Sequence, residues 1–143
     1  MSYAKWFDKH SKKHKKIVDK LLKQNYKKEQ IIKYFCYENM QKNEIDFCPL
    51  YKDNKKCHDM KELNCYLCAC PNFRFNDDII KTIDDKKQYS FCDINSKDGK
   101  QSIYGEKIHQ NCTACTIPHH KEYIEKVFHT EWKVIMKECC YQC

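Results

Sequence analysis

The sequence predicts a small, metal-stabilised α+β protein with an N-terminal helical hairpin, an irregular cysteine-rich core holding a short β-hairpin, and a C-terminal helix. Three observations predict it. Apolar residues recur at helical spacing over the first 40 residues and again beyond residue 116. Twelve cysteines occur in 143 residues, eight of them between residues 41 and 115, where the apolar pattern is thinnest. Only Gly99 and Gly105 are glycines, so turns there must rest on Asn, Asp and metal knuckles.

The elements follow in order. Residues 1–40 read as a basic helical arm and residues 41–143 as the cysteine-rich domain. Over 3–23, Trp6, Phe7, His10, Ile17, Val18, Leu21 and Leu22 recur at three- and four-residue steps, with lysines between them. Asn25 breaks this helix and caps a second near 27–40, which carries Ile31, Ile32, Phe35, Cys36 and Met40. Cys36 reads as a core thiol. His10 and His14 share a helix face that is expected to be solvated or half-buried, with weak metal binding as the alternative.

Residues 77–88 read as one short helix or loop. Tyr89–Ile94 and Gln101–Tyr104 read as a hairpin turning at Asp98-Gly99, holding Cys92 against the metal. Thr116 caps, and Pro118 opens, a helix expected to run to about residue 138. The tail Cys139-Cys140-Tyr141-Gln142-Cys143 is expected to be a metal clip, a redox-active thiol set or a frayed end.

The chemistry lies in Asn64-Cys65-Tyr66-Leu67-Cys68-Ala69-Cys70-Pro71. Two thiolates spaced CxxC grip one ion from a tight turn. A third, one residue beyond, alternates to the other side of an extended backbone. A second knuckle, Cys112-Thr113-Ala114-Cys115, precedes a helix start, whose dipole favours thiolates. The expected pairing is Cys65, Cys68, Cys112 and Cys115 in one site, with Cys48, Cys57, Cys70 and Cys92 in a second. His58 and His119 stand near enough in sequence to join either. About two zinc ions are expected. An iron–sulfur cluster is the alternative, since proline follows Cys48 and Cys70 and often follows a cluster cysteine.

Charge is uneven. Residues 1–33 hold eleven lysines against Asp8, Asp19 and Glu29, while the whole chain nets +7. A basic arm binds nucleic acid or anionic lipid. Arg74 is the only arginine, however, and arginine is the preferred reader of bases and phosphates. No apolar signal-peptide core is read at the N-terminus, so the expected compartment is the reducing cytoplasm, where cysteines are thiols or metal ligands.

The series Cys48, Cys57-His58, Asn64–Pro71, Cys92 and Cys112–His119 resembles the cysteine-rich small domain, a zinc-finger-like, metal-binding family of bacteria and archaea. Its NCxxCxCP and CxxCxxPH elements carry the resemblance, which spans roughly residues 45–125. It implies metal binding by these residues and no established reaction. The basic arm, Cys36 and the C-terminal cysteines depart from that pattern.

The expected function is therefore a cytoplasmic metal-binding structural or interaction protein whose partner the residues do not name. An iron–sulfur or thiol redox protein is the alternative, and a nucleic-acid-binding zinc protein is the third reading. Catalysis is not the expectation. A hydrolytic zinc site needs an open position with His or carboxylate ligands, and the ligands here are mostly sulfur.

Overall fold

A computed structural model describes residues 2–143. The fold is α+β. Helix α1 spans Tyr3–Lys23, as its periodicity predicts. Ser2 caps it, its Oγ accepting the Lys5 N–H at 3.2 Å. The next free N–H groups, of Tyr3 and Ala4, donate to the Asp77 carboxylate at 2.9 and 3.1 Å, which ties the helix start to the strand region.

Asn25 adopts φ 62 and ends α1 rather than capping the next helix. The N–H of Lys27 donates to Gln30 Oε1 at 2.7 Å and opens α2, Lys28–Tyr34. The expected single helix over 27–40 is broken at Phe35-Cys36, and α3, Tyr37–Asn43, follows. The cause is tertiary. The Cys65 N–H donates to the Phe35 carbonyl at 2.7 Å, and the Tyr37 N–H donates to the Leu63 carbonyl at 2.9 Å. Cys36 and Asn64 thus form an antiparallel bridge, and the helix yields two residues to it. Cys36 is half-buried at this seam, not a core thiol.

Six short strands follow: β1 Phe73–Phe75, β2 Lys81–Ile83, β3 Lys86–Gln88, β4 Ser90–Cys92, β5 Lys100–Tyr104 and β6 Lys107–Asn111. They form an antiparallel β1–β4 pair and a four-stranded sheet ordered β2-β3-β6-β5. Two expectations are corrected here. Residues 77–88 are not a helix, because Asp84 and Asp85 both take positive φ, 48 and 64, and make the tight turn between β2 and β3. The hairpin at Asp98-Gly99 is also misplaced. β4 pairs with β1, matching Cys92 to Phe73, while β5 turns at Gly105, φ 64, to pair with β6. Cys92 is held against the cysteine-rich segment by β1.

The long C-terminal helix is likewise divided. A 3-10 turn over Ile117–His119 leads to α4, Lys121–Val127, and then to α5, Trp132–Ile135. Between α4 and α5 the backbone leaves the helix to serve the core. The Tyr66 hydroxyl donates to the His129 carbonyl at 2.6 Å, and Trp132 Nε1 donates to the Leu67 carbonyl at 2.7 Å. The tail is not frayed. The Phe75 N–H donates to the Cys139 carbonyl at 2.8 Å, and the Tyr141 N–H donates to the Phe75 carbonyl at 2.7 Å. Cys140 and Cys143 form a disulfide. Among the described residues no helix is long and apolar enough to cross a membrane.

One core joins both halves of the chain. Ile17, Val18 and Leu21 of α1 and Ile31, Ile32 and Phe35 of the α2 region pack with Leu63, Tyr66, Leu67 and Trp132. His10 and His14 belong to this core and are not solvated. His10 lies among Trp6, Phe47 and Trp132, and His14 among Phe35, Tyr66 and Trp132. Both ring nitrogens of His14 and Nε2 of His10 lack a hydrogen-bond partner. Burial lowers His10 from 6.5 to about 4, with help from Lys13, and lowers His14 to about 3, with help from His10.

Each ring therefore binds its proton more weakly in the folded chain than in the unfolded one. The unfolded state takes up more protons below pH 6.5, so stability is full above that pH and falls as pH drops toward 4 and then 3. Denaturant melts at pH 7 and pH 5 should differ by about 4 kcal/mol from these two groups. His14→Leu should remove roughly half of that difference. An unchanged pH slope in the variant would contradict the assignment.

Candidate metal centre

The knuckle Cys65–Cys68 is positioned by Asn64, whose polar groups are all engaged. Its Nδ2 donates to the Ile32 carbonyl at 2.7 Å, and its Oδ1 accepts the Tyr66 N–H at 2.8 Å. Its backbone N–H donates to the His119 carbonyl at 3.2 Å, and its own carbonyl accepts from His119 Nδ1 at 2.9 Å. One asparagine thus joins α2, the first knuckle and the segment after the second knuckle. Cys68 closes its knuckle at φ 51, an uncommon conformation for a residue other than glycine that the surrounding contacts maintain.

The fold sorts the eight central thiols into two neighbourhoods. Cys48 and Cys57 lie with Cys65 and Cys68. Cys57 is pushed up to about 11 by desolvation and by the charges of Cys65 and Cys48. The hydrogen bond between Cys65 and Cys68 lowers the first thiol and raises the second, so this pair favours a single thiolate. Cys70 lies with Cys92, Cys112 and Cys115. Cys112 is pushed up to about 11 by burial and by those three thiols. Cys70 is raised by burial, an effect the Asn72 hydrogen bonds oppose. The neighbours therefore differ from the expected pairing. Each CxxC knuckle sits with two isolated cysteines, and the two knuckles do not sit with each other. The neighbourhoods meet at Cys68-Ala69-Cys70, three residues that border one cavity.

His58 and His119 both face the first neighbourhood. With Cys57 they form a set whose ligand atoms all lie within 4.8 Å of one another. Cys57 Sγ lies 3.7 Å from His119 Nε2. Two such ligands on one tetrahedral zinc, with bonds near 2.3 and 2.1 Å, would stand about 3.6 Å apart. His119 Nδ1 contacts the Asn64 carbonyl and His58 Nδ1 contacts the Thr113 carbonyl, each at 2.9 Å. A carbonyl only accepts, so each Nδ1 carries the proton. In a neutral ring, Nε2 is then left as a lone pair, the tautomer that a metal-binding histidine needs. Burial lowers His119, keeping that ring neutral. Tyr51 is buried near Cys65, and its hydroxyl has no hydrogen-bond partner, so a thiolate at Cys65 would offer it an acceptor.

The remaining cysteines stand apart. Cys36 lies at the seam beside Asn64. Cys139 is buried with its sulfur 3.6 Å from the Cys70 carbonyl, and burial pushes it up to about 12. Sequence reasoning missed Asn64 as the organiser and Tyr51 as a neighbour of Cys65. The signal for Asn64 was its place immediately before the knuckle. Tyr51 left none, because only the folded chain brings it to Cys65.

Comparison with protein-family models, with curated proteins and with solved structures found no match to this chain.

Asn64→Ala leaves the buried Tyr66 N–H without its partner, while the Ile32 carbonyl keeps the Phe35 N–H, and should cost about 1–3 kcal/mol in a denaturant melt. Tyr51→Phe should keep the fold and weaken metal affinity about 10-fold, measured by chelator competition. Unchanged affinity would show that the hydroxyl does not support a ligand.

Proposed function

We propose that this chain is a metal-binding protein with two sulfur-rich centres, joined back to back at Cys68-Ala69-Cys70, and that its first role is structural. The observation that carries the reading is the Cys57, His58 and His119 set, with both Nδ1 atoms anchored to carbonyls. The mixed thiolate and imidazole donors suit zinc at this first centre. Cys48, Cys65 and Cys68 lie nearby, and one thiolate from among them completes a four-ligand shell.

Electrostatics support a cation at both centres. Crowded thiols raise one another's pKa, as Cys57 and Cys112 show, so deprotonating them without a cation is costly. A divalent ion reverses that cost and holds four distant segments together, contributing on the order of 10 kcal/mol to folding. On the NCxxCxCP and CxxCxxPH elements, we place the chain with the cysteine-rich small domain proteins. A cytoplasmic interaction module, rather than a hydrolytic enzyme, is the role this ligand chemistry favours.

Native mass spectrometry of the full chain, purified without oxygen, should find metal at both centres. His119→Ala should lose the metal of the first centre and keep the other. Stripping with a strong chelator should lower the melting temperature by more than 10 °C or unfold the chain, since about 10 kcal/mol of folding energy leaves with each ion. A metal-free chain with the same melting temperature would overturn the reading.

A further inference from the structure

Cys70, Cys92, Cys112 and Cys115 line one cavity of about 440 Å³, set between the cysteine-rich segment and the first turns of α1 and bordered on one side by Cys68, His58 and His119 of the first centre. Its far wall is aromatic, built from Tyr3, Trp6, Phe7 and Phe73. Each of the four sulfurs lies beside a polar group. Asn72 Nδ2 donates to Cys70 Sγ at 3.6 Å, and the Ser96 N–H donates to Cys92 Sγ at 3.5 Å. The Ser96 hydroxyl lies 3.4 Å from Cys115 Sγ, and the Gln110 side chain stands near Cys112. Gly99 leaves room for that glutamine, since a Cβ there would stand 2.7 Å from Gln110 Nε2. Four sulfurs beside polar groups in an apolar setting are an arrangement for thiolates.

The spacing separates two kinds of occupant. One tetrahedral zinc would draw four thiolates to about 3.8 Å from each other. Among the described residues, the set of three or more ligand atoms mutually within 4.8 Å is Cys57, His58 and His119. No three of the ring's four sulfurs form such a set. A polynuclear cluster accommodates thiolates farther apart than one ion does, because each thiolate then takes an iron of its own. Proline follows Cys70, as it often follows a cluster cysteine.

We propose that the ring of Cys70, Cys92, Cys112 and Cys115 holds a [4Fe–4S] cluster under the aromatic wall, beside a separate zinc at Cys57, His58 and His119. The proposal rests on the two-centre reading above. With all four irons held by cysteine, the cluster has no open position, so it moves electrons rather than binding substrate. One electron from a one-electron donor takes it from the 2+ to the 1+ state, with no bond made or broken. The N–H groups on its thiolates and the apolar wall set its potential.

The test is the full chain purified without oxygen and then reconstituted with ferrous iron and sulfide. Iron, acid-labile sulfide and zinc are counted, and the electron paramagnetic resonance spectrum is taken after dithionite reduction. About four irons, four sulfides and one zinc per brown chain are expected, with a signal on reduction. Cys112→Ser should lose iron and sulfide and keep the zinc. His119→Ala should lose the zinc and keep the cluster, so one readable variant survives if the other fails to fold. A colourless chain with two zinc ions after reconstitution overturns the cluster and leaves the two-centre reading standing. A folded chain with no metal overturns both.

Discussion

The structure depends on Asn64. An extended segment carrying a CxxC knuckle has no reason of its own to lie beside a helix. Asn64 gives it one, because its amide joins the α2 carbonyl at Ile32 to the N–H of Tyr66, while its backbone pairs with His119. The neighbouring bonds from Cys65 to Phe35 and from Tyr37 to Leu63 complete the seam. These groups are buried, so losing any partner would leave a desolvated polar atom, and the seam behaves as a unit.

From that seam both functional surfaces follow. Tyr66 and Leu67, within the first knuckle, are fully buried and receive α1 and α5 around them. The knuckle's loop is thus part of the hydrophobic core, with Cys65 buried in it and Cys68 packed against it. The backbone–His119 bond at Asn64 orients that ring toward Cys57. Packing, ligand geometry and histidine tautomer are consequently one coupled arrangement. His10 and His14 lie in the same core, with His10 Nε2 and both His14 nitrogens unpartnered, and make its integrity sensitive to acid.

Much of this was legible. Helix α1 follows from its periodicity, since an amphipathic stretch of this length needs only one apolar surface to pack against. The knuckles follow from spacing, because CxxC closes a metal turn locally. Less legible were the breaks at Phe35-Cys36 and before Trp132, where helical sequence gave way to hydrogen bonds with residues about 30 and 65 positions away. Asp98-Gly99 carried the turn signal that Tyr104-Gly105 actually uses. Short strands with weak alternation leave their register to whichever partner the fold presents.

The sequence by itself determined the α+β class, the first helix and the tight turns at the two CxxC segments, because each depends on residues close together in the chain. The tertiary structure alone decided which cysteines are neighbours. It set the Cys65–Cys68 knuckle with Cys48 and Cys57, the Cys112–Cys115 knuckle with Cys70 and Cys92, and His119 across from its own knuckle onto Cys57. Spacing along a chain cannot encode that choice. It is made by Asn64 and the seam, which fix where each segment crosses the others in space.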